Sequence, residues 1–211
     1  MAFELCGAHK DVVGIFGRDG CAMGAMGLSE NVCFRKTSQD GRKYEKRCFM
    51  NADQTLYYCS LATEIGELIL AAGEKGLRYA FFRDGEGCNI PDSWVYAPEK
   101  LADGVVQMEE YLHLKRRRFD VPLDPEGTPF QRRVWQALLE IPHGMTITYG
   151  ELARRIGCSK GCRAVGNANG KNPLVIIQPC HRVIAANGAI GGFSSGIERK
   201  KFLLELEKGG H

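Results

Sequence analysis

A cysteine, a histidine and an arginine stand side by side in Gln178-Pro179-Cys180-His181-Arg182-Val183-Ile184. The apolar, β-branched run Val175-Ile176-Ile177 precedes them and reads as a short buried strand that delivers the cysteine at its end. The thiolate is the reactive form of cysteine, and an imidazole or guanidinium nearby lowers a thiol pKa, so Cys180 is a candidate nucleophile. Neighbours on a strand point to opposite faces, so adjacency in sequence does not establish contact. From the residues alone, a structural cysteine is as good a reading as a catalytic one. Cys158 and Cys162 come nearest to metal-ligand spacing, in a turn leading into a helix. Structural zinc takes four ligands in paired clusters, and the plainer reading is two buried small residues.

Several elements must position such a site. Residues 121–129, Val-Pro-Leu-Asp-Pro-Glu-Gly-Thr-Pro, are the best linker candidate and end in a helix start: Thr128 as N-cap, Pro129 at the first helical position, and Gln131 completing a capping box. Phe130, Val134, Leu138 and Ile141 make the apolar stripe, and Pro142 with Gly144 stops the helix. A second helix begins at Thr148-Tyr149-Gly150-Glu151 and ends near Gly157; a third, capped by Ser159, runs from about Lys160 to Asn169. Two short helices joined by about three residues read as a helix-turn-helix. The third helix is built of small residues, Gly161, Cys162, Ala164, Gly166, Ala168 and Gly170, with Arg163 the one long side chain. Each glycine costs roughly 1 kcal/mol relative to alanine. The helix therefore needs close approach to something, a DNA groove or equally a neighbouring helix.

Upstream, residues 56–62 and 67–72 read as strands around Gly66, Gly73-Glu74-Lys75-Gly76 as a turn, and residues 77–82 as the third strand of a meander. Pro98 opens a helix with Leu101, Val105, Met108 and Leu112 on one face. Residues 1–52 lack sustained periodicity and read as an extension, poorly ordered or loosely packed; Met50 begins a stretch that reads as a natural start. The division is 1–52, an α/β unit over 53–121, a linker at 122–127, and a unit over 128–209.

The 211 residues carry 44% hydrophobic and 25% charged side chains, an ordinary globular composition. No run approaches the ~18–20 apolar residues of a membrane span, no signal-peptide pattern opens the chain, and the nine cysteines are an odd number, so a cytoplasmic protein with free thiols is expected. The net charge of +3 hides a division: residues 53–126 hold eight bases and fourteen acids, net −6, whereas residues 127–211 hold twelve bases and five acids, net +7. The C-terminal part suggests an anionic partner.

Pro179-Cys180-His181-Arg182-Val183 resembles the signature of the O6-alkylguanine-DNA alkyltransferases. The resemblance extends to Arg163-Ala164-Val165-Gly166, Asn172-Pro173, the glycine-rich residues 188–196, and Lys201-Phe202-Leu203-Leu204-Glu205-Leu206-Glu207, and covers roughly residues 56–209. It implies a two-domain α/β fold: a small N-terminal ribonuclease-H-like domain and a C-terminal winged-helix, helix-turn-helix domain that carries the cysteine. The implied activity is direct-reversal DNA repair, a stoichiometric transfer of an alkyl group from O6-alkylguanine to Cys180 that consumes the protein, with O4-alkylthymine left open as a second substrate.

Carried over by position, the resemblance makes His181, through a water, the base for the Cys180 thiol; Glu207 the holder of the imidazole tautomer; Asn172 the brace of the active-site turn; and Tyr149 the hydroxyl donor to guanine N3. The carbonyls of Cys180 and Val183 would take the exocyclic amine, and the Ser194 N–H would take O6. Arg163 would fill the stack after base flipping, with Ala164 and Gly166 small enough to admit the helix into the minor groove, about 6 Å wide. It also implies no cofactor, no obligatory protein partner, and action as a monomer on double-stranded DNA. This chain departs from the family pattern at Gln178, where an apolar residue is usual, and at Phe193, which is often tyrosine; Gly73 and Arg78 stand where some relatives hold zinc ligands, so no metal is expected. Two other readings are a non-catalytic module that flags alkylguanine, against which Cys180 argues, and a transcription regulator, weakened by a reading helix almost without side chains for base edges.

Overall fold

The computed structural model of the protein describes residues 33–37, 43–47, 55–83 and 90–209. Met50, Cys6, Cys21 and Cys48 lie outside the described residues. Within the N-terminal extension, β1 (Cys33–Thr37) pairs antiparallel with β2 (Lys43–Arg47), a hairpin that the aperiodic sequence did not announce.

The expected meander forms as β3 (Tyr57–Thr63), β4 (Gly66–Gly73) and β5 (Gly76–Phe82), each antiparallel to the next. A short strand, β6 (Val95–Tyr96), adds parallel to β3, giving the order β5-β4-β3-β6. Successive residues of a strand face opposite sides, and β4 is covered on both. Leu68 and Leu70 enter the main core, while Ala71 joins Leu56, Tyr79 and Trp94 behind the sheet.

A 3-10 turn at Pro98–Leu101 leads into α1 (Ala102–Leu112), whose innermost residues are Gly104, Gln107, Met108 and Tyr111. The helix is thus rotated from the stripe that aliphatic spacing suggested: Val105 and Leu112 are only partly buried. Gly104 lets the helix approach Leu77, and the ring of Tyr111 is carried inward.

The linker is no loose tether. The Leu77 N–H donates to the Pro122 carbonyl at 2.8 Å, the Asp124 N–H donates to the Leu77 carbonyl at 2.8 Å, and Arg78 pairs with Asp124. Gly76 makes this crossing possible: its φ is +142°, and a Cβ there would lie 2.4 Å from the Pro122 oxygen. Further along the same edge, Ala80 donates to the Pro173 carbonyl at 2.8 Å and Val175 donates to Ala80 at 2.9 Å. One strand edge therefore anchors both the linker and the segment that leads to Cys180. Leu174, Val175, Ile176, Ile177 and Leu203 share one core with β3, β4, β5 and α1.

In the C-terminal part the helices are α2 (Pro129–Leu138), α3 (Tyr149–Arg155), α4 (Cys162–Gly170) and α5 (Ile197–Gly209), with β7 (Ile147–Thr148) parallel to β8 (Val183–Ile184). The Thr128–Gln131 capping box is present in both directions, and Thr148 caps α3 by accepting from the Glu151 N–H. Such caps contribute about 1 kcal/mol each. The third helix begins later than its small residues suggested, with Gly161 rather than Ser159 before its first turn. Gly161 donates to the Cys158 carbonyl at 2.7 Å and sits so close that a Cβ would strike the Cys158 sulfur. Trp135 ties α2 to α4 through its indole N–H, which donates to the Ala168 carbonyl at 2.9 Å. Among the described residues, no helix is long and apolar enough to cross a membrane.

Candidate active site

The segment before Cys180 is a tight turn and not the strand that its β-branched residues suggested. After one bridge between Leu174 and Ala80 the chain reverses: Gln178 donates to the Leu174 carbonyl at 2.8 Å, and Ile176 takes a φ of +70°. A β-branched residue in that region costs on the order of 1–3 kcal/mol, which the surroundings must offset. Burial of Val175, Ile176 and Ile177 in the core supplies one compensation, and Asn172 supplies the other. Its Nδ2 donates to the Gln178 carbonyl at 2.7 Å and lies 3.0 Å from the Cys180 Sγ, while its Oδ1 accepts from the Leu174 N–H at 3.0 Å.

Cys180, His181 and Arg182 then form a single 3-10 turn, so the opposite-faces objection for a strand does not apply. All three are buried. Burial pushes the Cys180 thiol up to about 11, against the downward pull of the Asn172 hydrogen bond and the charge of Lys200. The group therefore rests as a thiol and needs a base to become a nucleophile. His181, its neighbour on the turn, is the candidate for that work. Its Nε2 lies 2.9 Å from the Glu207 Oε1, and its Nδ1 is buried without a partner among the described residues, free to take a proton directly or through a water. Burial holds this imidazole below its ordinary 6.5 despite the facing carboxylate, so it is neutral at neutral pH and has a lone pair to accept a proton.

Glu207 is no solvated helix residue: it is 1% exposed and is gripped from several sides. Arg182 donates to Oε1 through Nη2 at 2.8 Å and to Oε2 through Nε at 3.0 Å, the Gly144 N–H donates to Oε2 at 3.0 Å, and the Tyr111 hydroxyl donates to Oε1 at 2.5 Å. Hydrogen bonds from His181 and Arg182 hold its carboxyl well below the usual carboxylate range, outweighing burial. Sequence reasoning missed Tyr111 altogether and treated Arg182 only as a neighbour of the thiol. It also missed Lys200, whose buried Nζ donates to the Val183 carbonyl at 2.6 Å and whose pKa burial draws down to about 8. A signal for Lys200 was present: Lys200, Leu203 and Glu207 are the buried residues of α5, at spacings of three and four.

The Tyr149 ring stands between Gly166 of α4, where a Cβ would lie 3.9 Å from it, and Gly191, where one would lie 3.7 Å away. Gly191 has a φ of +70° and brings the glycine-rich loop over the ring. Burial and the nearby Cys180 charge raise the Tyr149 phenol, and Asn169 is bonded to it. Asn169, a third residue not anticipated, also donates to the Cys180 carbonyl at 3.4 Å. Both carbonyls expected to receive an exocyclic amine are thus already engaged, that of Cys180 by Asn169 and the Val183 N–H, that of Val183 by Lys200; only a further lone pair could serve a ligand. Phe193 packs against both cores, and Ser194 is exposed on the loop.

Arg163 and Ala164 are not drawn into this cluster: they are exposed on α4, where Val165, Ala168 and Asn169 face inward. Cys162, the first residue of α4, is exposed and Cys158 half-buried, contrary to the expectation of two buried residues. Among the described residues, no group of three or more His, Cys, Asp or Glu side chains could hold a metal ion.

Two family models match the chain, the 6-O-methylguanine DNA methyltransferase ribonuclease-like domain over residues 56–125 and the DNA-binding domain of the same proteins over residues 129–209. A methylated-DNA–protein-cysteine methyltransferase of Methanosarcina acetivorans is 50% identical over 153 residues, covering 72% of this chain and 98% of the relative. The Mycobacterium tuberculosis protein of that name is 44% identical over 153 residues, covering 72% and 93%. A crystal structure of the M. tuberculosis protein in complex with DNA is similar with a TM-score of 0.68 at 44% identity, covering 73% of this chain and 94% of that one.

Proposed function

This chain belongs to the 6-O-methylguanine DNA methyltransferase family, and on that premise we propose that it repairs alkylated DNA by direct reversal, with Cys180 as the acceptor. The observation that carries the reading is the buried Cys180–His181–Glu207 arrangement, in which the imidazole is fixed through one nitrogen and left open at the other. His181 takes the thiol proton, and the thiolate attacks the alkyl carbon in line. One S–C bond forms as the O6–C bond breaks, and the proton that His181 took is passed through water to the leaving guanine, whose N3 accepts a hydrogen bond from the Tyr149 hydroxyl, so the base leaves neutral and the imidazole is restored. Asn172 holds the sulfur on its turn, and Lys200 favours the thiolate by charge. The thioether is stable to water, so one chain repairs one lesion.

A buried sulfur cannot reach a base inside a duplex, so the nucleotide must be flipped out. The outward face of α4, with exposed Arg163 and Ala164 and little side-chain bulk, suits a minor groove about 6 Å wide. Arg163 would fill the vacated stack, and the basic 127–211 segment would hold the phosphates. The glycine-rich loop lies over Tyr149 as a cover for the base, where the Ser194 N–H would take O6, the exocyclic amine would use a remaining lone pair on the Cys180 and Val183 carbonyls, and Phe193 would close the loop against the core. Every group invoked comes from one chain, which supports action as a monomer, and the thiol is its own reagent, so no cofactor is needed. A nucleophile that must stay reduced beside DNA fits the cytoplasm. A non-catalytic flagging module is disfavoured because the thiol is present and braced.

Incubation with an O6-methylguanine duplex followed by mass analysis tests this: the account expects a methyl adduct on the Cys180 peptide, absent in Cys180→Ala. Binding without an adduct would favour the flagging module.

A further inference from the structure

The N-terminal unit carries net negative charge and none of the groups used above, yet one of its side chains reaches the reactive network. Tyr111, on α1, is 0% exposed, and its hydroxyl donates to the Glu207 Oε1 at 2.5 Å while lying 3.5 Å from the His181 Nε2. Phe119 and His143 fix its ring from two sides, at centroid distances of 5.3 and 5.9 Å. The oxygen it engages is the one that accepts from His181. A carboxylate oxygen shared with a phenol and a guanidinium is a weaker acceptor for the imidazole N–H than one left to the imidazole alone.

Resting on the function proposed above, we infer that Tyr111 is a positioning residue of the transfer reaction: its phenol tempers the Glu207 carboxylate so that His181 rests neutral and can take the Cys180 proton. The N-terminal unit would then set the reactivity of the thiol without touching DNA. The other groups facing His181 are Arg182 on the same turn and Lys200 and Glu207 on α5; His143, on the α2–β7 connection, faces Tyr111. Arg182 and Lys200 disfavour the imidazolium and Glu207 favours it, so weakening the hold on Glu207 strengthens the one influence that would protonate the base.

The test is the pH dependence of single-turnover methyl transfer by the full chain. In Tyr111→Phe, which removes one oxygen and keeps the ring, the midpoint of the acid limb should rise by about half a pH unit. That reads as roughly threefold slower transfer on the acid slope, with the neutral plateau within about twofold of wild type. Site-specific 3-fluorotyrosine at position 111, a stronger donor of nearly the same shape, should move the limb to lower pH. Opposite shifts support the inference. Superimposable limbs, or a uniform loss at every pH, overturn it by showing that Tyr111 only packs. The same limb read from iodoacetamide alkylation of Cys180 requires no DNA. If wild type fails to take methyl from DNA, the proposed function falls, and the alkylation profiles still decide the role of Tyr111.

Discussion

The turn over residues 172–182 and the helix before it, α4, are adjacent in sequence and solve opposite problems. In the turn, Asn172, Cys180, His181 and Arg182 are buried, and their bonding runs outward to α1, the connection after α2, and α5 through Tyr111, Ile141 and Glu207. On the outer face of α4, Arg163, Ala164 and Asn167 are exposed, and Arg163 has no hydrogen bond or ion pair among the described residues. On the proposed function, the contrast teaches that chemistry and recognition place different demands on the same short stretch of chain. A reactive thiol must be held to a fraction of an ångström by partners from many elements. A surface that enters a groove needs little bulk and a free side chain.

Substitutions should act differently on the two regions, with the largest effect inside. Arg182→Leu leaves the Glu207 carboxylate buried without its guanidinium; losing one partner of a buried pair costs about 3–5 kcal/mol. The melting temperature should fall by about 10 °C or more, and transfer from duplex DNA and from a free O6-alkylguanine base should be lost together. Retention of either would show that Glu207 is held well enough by its other partners.

Acid should act on the same region. Glu207 is held below its ordinary 4.5, so the stability it contributes is complete above that pH and is lost as the pH falls through the folded value. His181 is held below 6.5, so the unfolded chain binds more protons as the pH drops beneath 6.5. The two slopes have the same sign. Melting scans from pH 7.5 to pH 4 should show falling stability, with a shallower slope below about pH 5 in Glu207→Gln.

On the outer face the effects should separate substrates and spare stability. Arg163→Ala should slow transfer from duplex DNA by about tenfold or more, leave reaction with the free base within about twofold, and hold stability within about 0.5 kcal/mol. Equal losses on both substrates would place Arg163 in the chemistry. The smallest effect is at Gly166, where a Cβ would make ordinary contact with Tyr149. Gly166→Ala should raise stability by up to about 1 kcal/mol through helix propensity while weakening duplex affinity a few-fold, a change of opposite sign in the two assays.

What was legible in the sequence follows the same division. The capping box at Thr128, the alternation of β5 and the small residues of α4 are local signals, and each names its element. Cys180, His181, Asn172 and Glu207 could be assigned together only through a family resemblance, because their meeting depends on folding across the chain. The turn at residues 174–177 was misread as a strand: β-branched residues favour strands, and here burial in the core overrides that preference and forces Ile176 to positive φ. Tyr111 was invisible because α1 carries aliphatic residues at more than one helical spacing, and the rotation that buries Gly104 and Tyr111 is set by packing on the sheet. Its partner lies 96 residues away in sequence.

The most direct test of the central claim, that one buried thiol in the turn is the reagent and α4 only delivers the lesion, is a titration of the full chain with excess O6-methylguanine duplex, followed by intact mass and peptide mapping. The account predicts a plateau of a single methyl group per chain, all of it on Cys180. Continued turnover beyond that plateau, or a methyl group on Cys158 or on Cys162 at the start of α4, would contradict it.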